Sequence, residues 1–196
     1  MMRKINYLKA IVIVHGKSEK QICDYIKSNL RIKIEIFADK NGEKSIQING
    51  LMNILNNTVF NDFENFYRKY DDIEVAGKKI DSKFKIFIIM DTDDCNDFQR
   101  EQFISKKMFK KHWLYDHIQP IYNSGNLEEV LENAGIKFKK TGKDRKKEYL
   151  KIFPTSSKYR GKEQMDLEEF AQKLTRVKTT NLEDFINFCL SNVHFL

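Results

Sequence analysis

The run from Lys85 to Asn96, KIFIIMDTDDCN, constrains this chain most, because the apolar residues Ile86 to Met90 stop abruptly at Asp91, Thr92, Asp93 and Asp94. A short apolar run bounded by polar residues reads as a strand buried on both faces, as in parallel sheets covered by helices. In open sheets of that kind ligands sit outside the carboxyl ends of the strands. Asp91 and Asp93 therefore stand where oxygen ligands can hold a divalent cation, with Asp94 as an outer ligand. The plainer alternative is a polar strand exit whose acids cap the next helix.

A second junction of the same kind lies near the N-terminus, where AIVIV, Ala10 to Val14, runs into His15, Gly16, Lys17, Ser18 and Glu19. Ser18 can cap a helix from Glu19 to about Leu30 with Ile22, Tyr25, Ile26 and Leu30 on one face. The N-terminus of such a helix favours an anionic phosphate beside Gly16 and Lys17. Arg31 to Ala38 alternates polar and apolar residues, as a half-buried edge strand does. Ile46 to Tyr70 reads as two helices broken near Asn56 and Asn57, and Asp71 to Lys83 as a loop. Phe84 to Met90 is then the central strand, Asp97 to Leu114 a helix and His117 to Tyr122 a fourth strand. Asn126 can cap Leu127 to Asn133, which Gly135 stops.

This alternation of strands and helices calls for an α/β fold whose parallel-rich sheet is flanked by helices over residues 1–134. Residues 135–196 differ in character. A basic segment and a loop from Pro154 to Gly161 precede two helices, one capped by Asp166 with Glu169 three residues on, the other by Thr180 or Asn181. They form a C-terminal helical elaboration, with Phe185, Phe188, Cys189, Phe195 and Leu196 packed back on the same domain.

Composition agrees: 196 residues, 41% hydrophobic and 32% charged, with only two prolines, suit one globular domain. No apolar stretch is long enough for a signal peptide or a membrane span. Cys23, Cys95 and Cys189 lack metal-ligand spacing and read as reduced thiols of a cytoplasmic protein. The net charge of +7 is concentrated in Lys137 to Lys151, where eight basic residues face only Asp144 and Glu148. Lys143, Arg145, Lys146 and Lys147 at its centre can grip DNA or RNA by counterion release, or can be solvated surface. Lys158 can stabilise developing phosphate charge. Trp113 and Tyr115, beside Lys106, Lys107, Lys110 and Lys111, form either a stacking patch or part of the core. Glu128 and Glu129 read as helix-start acids.

Together the two junctions resemble the TOPRIM domain of topoisomerases, primases and certain nucleases, whose first strand ends in a Glu-Gly turn and a later strand in DxD. The resemblance is closest to small phage-defence TOPRIM proteins of the abortive-infection and overcoming-lysogenization-defect types, whose turn reads Glu-Gly-Lys-Ser/Thr-Glu. Gly16, Lys17, Ser18, Glu19, Asp91 and Asp93 match, while His15 stands in place of the first Glu. The likeness spans about the first 130 residues. It implies a TOPRIM-like, Rossmann-type core. It further implies a nuclease or nicking phosphodiesterase using Mg²⁺ or Mn²⁺, with Glu19, Asp91 and Asp93 holding the cation. A role in phage defence follows from the likeness alone, and a defence-system ATPase is a partner it allows.

His15 occupies the corner where the family carries its general acid/base. An imidazole there can move a proton, ligate a metal with a tilt toward Mn²⁺ or Zn²⁺, or act as a hydrogen-bonding turn residue. In the last case the chain would be a catalytically silent TOPRIM-like module binding nucleic acid or protein. Other motifs fail more clearly. Gly16-Lys17-Ser18 imitates the end of a P-loop, but Ile11 occupies the place of its first glycine. An EF-hand from Asp91 would need glycine and glutamate where Asn96 and Gln102 stand. A haloacid dehalogenase-type phosphatase carries its nucleophile after the first strand rather than the third, and is the weaker alternative for a small phosphoester.

Overall fold

The computed structural model describes residues 6–137, 148–156, 161 and 164–193. Strand β1 (Ala10–Val14) is buried at every position. Helix α1 (Lys17–Leu30) carries the chain to β2 (Ile34–Phe37), which pairs parallel to β1. Two short helices, α2 (Leu51–Leu55) and α3 (Phe63–Lys69), and an antiparallel hairpin of β3 (Val75–Ala76) and β4 (Lys79–Ile80) lead back to β5 (Lys85–Asp91). Helix α4 (Asp97–Ile104) precedes β6 (Ile118–Asn123), and α5 (Leu127–Asn133), helical residues 148–152 (α6), α7 (Leu167–Leu174) and α8 (Leu182–Ser191) follow.

The main sheet has the order β2-β1-β5-β6, with every pairing parallel. From β1 the chain steps outward to β2, then crosses back to lay β5 on the other side of β1. The reversal opens a crevice between the carboxyl ends of β1 and β5, the place where doubly wound sheets receive ligands.

Alternation along each strand divides the core into two layers. Val12, Val14, Phe87, Ile89 and Ile121 pack with α1, α5, α7 and α8, while Ile11, Ile13, Ile86, Ile88 and Met90 pack with α2, α3 and the turns after α4. The strands are apolar at nearly every position because both faces are covered, each buried Ile contributing about 1.5–3 kcal/mol. The C-terminal helices share the first layer: Phe185 and Phe188 of α8 meet Phe87 at ring-centroid distances of 5.0 and 4.9 Å. The segment before α8 also covers the outer edge of β6. Asn181 accepts from Tyr122 N–H at 2.9 Å and donates to Pro120 C=O at 3.1 Å, satisfying groups that an open edge would leave free.

Some local expectations change. Helix α1 begins two residues before Glu19, because the Glu19 carboxylate folds back onto the Gly16 N–H at 2.9 Å. The Ser18 hydroxyl, freed from capping, donates to Glu128 at 3.2 Å. Helix α4 stops at Ile104, since Lys106 takes a left-handed φ of 65° and two 3-10 turns follow. The loop from Asp71 to Lys83 contains the β3-β4 hairpin, turned by Gly77 at a φ of 64°. Trp113 is mainly structural: its Nε1 donates to Phe60 C=O at 2.8 Å and its ring packs edge-on against Phe63 and Phe66. Among the described residues no helix is long and apolar enough to cross a membrane.

Candidate metal centre

The two sequence junctions meet side by side. Val14 pairs with Ile89, and one residue beyond the end of β1 the His15 N–H donates to Ile89 C=O at 2.9 Å. Strand β5 runs on to Asp91, opposite Asn123 at the end of β6. Thr92 is turned inward, its N–H reaching Asn123 C=O at 3.0 Å and Gly125 C=O at 3.1 Å, which sends Asp93 out to the exposed rim.

Glu19 lies in the first turn of α1 and is 4% exposed, beside a space too small for water that is lined by Ile22, Cys23, Ile89, Leu127 and Leu182. Burial, then the Asp91 carboxylate beside it, push its pKa up to about 7, with Asp93 adding a smaller push. Asp91 is also raised, first by burial and slightly by Asp93. The Asn123 amide, the His15 imidazole and the Leu127 backbone pull it the other way. Asp94, half-buried, is raised by burial and lowered by His15. Asp91 and Asp93 therefore act on Glu19, and His15 and Asp93 act on both Asp91 and Asp94.

Two of these residues are left unpaired. Both carboxylate oxygens of Asp94 and the Nδ1 of His15 are buried without a hydrogen-bond partner among the described residues. Buried polar atoms are nearly always satisfied, and an unpaired carboxylate is the costliest exception. The donors suit Mg²⁺ or Mn²⁺, which take oxygen ligands, keep several waters and need only one or two carboxylates when a substrate phosphate completes the shell. Among the described residues no three His, Cys, Asp or Glu side chains come together as a group that could hold a metal ion. With only Glu19 and Asp91 set side by side, a cation here would need water and substrate oxygens to complete its shell.

The walls of the crevice fix its shape. Lys40, Asn41 and Gly42 take positive φ values of 45°, 59° and 87°, and this turn presses on the start of α1. A Cβ on Gly42 would stand 3.2 Å from Lys17 Cα, so only glycine fits both the space and the φ. The same loop is tied to the first junction by Ile46 N–H donating to His15 C=O at 2.7 Å. Lys17 is exposed at the first position of α1, with Gly16 buried before it.

Lys143, Arg145, Lys146, Lys147 and Lys158 lie outside the described residues. After the first four, Tyr149 Oη donates to Ser18 C=O at 3.3 Å and Phe153 C=O accepts from Gln21 at 2.6 Å, tying the region of α6 to the first turns of α1. Two residues that the sequence did not single out for the site stand behind Asp91. Asn123, fully buried, donates from Nδ2 to Asp91 Oδ1 at 2.9 Å, and its Oδ1 accepts from the Thr180 hydroxyl at 2.9 Å. The available signal for Asn123 was a polar residue ending an apolar strand; for Thr180 it was only a candidate helix cap, whose Oγ1 does accept from the Leu182 N–H at 3.0 Å.

Searches against family models, curated proteins and solved structures returned no match for this chain.

Proposed function

We propose that the chain is a TOPRIM-like, divalent-metal-dependent nucleic-acid phosphodiesterase. The observation that carries this reading is the meeting of Glu19 and Asp91 at the sheet's switch point, beside the unpaired carboxylate of Asp94 and the unpaired Nδ1 of His15. Asp91, with Glu19 or Asp94 beside it, would hold Mg²⁺ or Mn²⁺ together with waters and substrate oxygens, with Asp93 at the rim as a further ligand. Bound there, the cation supplies Lewis-acid polarisation of a phosphate and lowers the pKa of its water. The chain's own groups do the rest. The N-terminus of α1 at Lys17, where the Gly16 N–H is taken by Glu19, receives a phosphate oxygen, and His15 exchanges a proton with the attacking or leaving oxygen. Lys143, Arg145, Lys146, Lys147 and Lys158 hold the nucleic-acid backbone. A place in phage defence and an ATPase partner rest on the sequence resemblance alone.

The test is cleavage of labelled single- and double-stranded DNA and RNA with Mg²⁺ or Mn²⁺. Asp91→Asn should abolish turnover by removing a ligand oxygen while leaving the fold's melting temperature near that of wild type. Activity retained by Asp91→Asn would contradict the reading.

One observation favours a second reading, a module that binds nucleic acid without cutting it. Glu19 Oε2 is already engaged by the Gly16 N–H, and His15 replaces the carboxylate of the TOPRIM turn. Binding that weakens steeply with salt, with no metal-dependent cleavage by wild type on any of those substrates, would select it.

A further inference from the structure

We infer that Thr180, acting through Asn123, is a positioning residue for Asp91, so that the segment leading into α8 belongs to the metal site; this rests on the metal-centre reading above. Three hydrogen bonds run in one direction. Leu182 N–H donates to Thr180 Oγ1 at 3.0 Å, the Thr180 hydroxyl donates to Asn123 Oδ1 at 2.9 Å, and Asn123 Nδ2 donates to Asp91 Oδ1 at 2.9 Å.

The chain has a single consistent polarity. Thr180 Oγ1 accepts from the Leu182 N–H and directs its proton at Asn123 Oδ1. The amide nitrogen is then forced toward Asp91, the only orientation in which a carboxylate meets a donor rather than another oxygen. Asp91 and Asn123 are also register partners on β5 and β6, and Asn123 and Thr180 form an antiparallel bridge. Backbone pairing therefore holds all three side chains in line. Asn123 is 0% and Thr180 4% exposed, so water does not compete for these bonds. With Oδ1 held by Asn123, the Asp91 carboxylate is fixed in orientation. Partners that orient a ligating carboxylate are worth about 10–100-fold in metal affinity.

The chain also gives the C-terminal elaboration a purpose beyond packing. Asn181 closes the edge of β6 and Leu182 walls the space beside Glu19. With Thr180 before them, three successive residues serve the Asp91 carboxylate, the sheet edge and the Glu19 pocket.

The test is Mn²⁺ affinity, measured by the electron paramagnetic resonance signal of free Mn²⁺, for wild type, Asp91→Asn, Thr180→Val and Thr180→Ser. Thr180→Val keeps shape but removes the donor, and should weaken Mn²⁺ binding about tenfold or more. Thr180→Ser keeps the hydroxyl and should return affinity to within about twofold of wild type, where a purely packing role would leave it impaired. If Thr180→Val does not fold, Thr180→Ala makes the same deletion without a methyl facing the Leu182 N–H. Wild-type affinity in the folded Val or Ala variant, with binding lost in Asp91→Asn, overturns the positioning role and leaves the metal centre standing. Equal binding by wild type and Asp91→Asn overturns both.

Discussion

Glu19 concentrates the tension of this site in one side chain. It is buried against apolar residues and faces Asp91, so its pKa rises from 4.5 to about 7, and the folded protein holds this proton more tightly than the unfolded chain does. The stabilising contribution is fully present below pH 4.5 and is lost as pH rises through about 7. Its size is about 3 kcal/mol, since each tenfold gain in proton affinity on folding corresponds to about 1.36 kcal/mol. Asp91 is raised too and acts in the same direction. In protein treated with chelator, Glu19→Gln should therefore gain stability over wild type between pH 5 and pH 8, by up to that amount in urea unfolding. A difference that does not change with pH would mean that the Glu19 carboxylate is solvated. A divalent cation would offset the same loss in wild type, which links the unfavourable burial of these acids to the function proposed for them.

At the scale of elements, β1 and β5 were legible because their signals are local. A run of five apolar residues that stops at charge needs both faces covered, wherever the neighbours lie in sequence. The start of α1 was displaced because Glu19, three residues inside, turns back to the Gly16 N–H in place of a Ser18 cap. The end of α4 was hidden because a lysine, Lys106, takes the left-handed conformation usually left to glycine. Asn123 and Thr180 were beyond sequence reasoning for a different reason: 57 residues separate them, and only the sheet brings them together. The Lys40–Gly42 turn gives this scale its prediction. Gly42→Ala places a methyl 3.2 Å from Lys17 Cα at a φ of 87°, which should cost about 1–3 kcal/mol and lower the melting temperature by several degrees. A melting temperature equal to wild type would show that the turn does not press on α1.

The whole molecule joins an acidic crevice to a strongly basic chain. Carboxylates at the switch point would repel a phosphate backbone unless a cation intervened, whereas a net charge of +7 would draw the nucleic acid proposed as substrate in from a distance. The α/β class was readable, since alternating strands and helices need cover on both faces of a sheet. What the basic segment binds was not, because a lysine-rich stretch has the same composition whether it grips phosphate or merely faces solvent. Replacing Lys143, Arg145, Lys146 and Lys147 with Gln should weaken nucleic-acid binding for all sequences and flatten its salt slope by up to about 3–4. An unchanged slope would assign the segment to solvated surface.

If Asp91 shares a divalent cation with Glu19 or Asp94 at the carboxyl edge of β1 and β5, anomalous diffraction from crystals soaked in Mn²⁺ shows it most directly. The expected result is a peak in the crevice with oxygens of Asp91 and at least one of Glu19 and Asp94 roughly 2 Å away. A saturating soak with no peak there, or Mn²⁺ bound only elsewhere on the surface, would contradict the shared site.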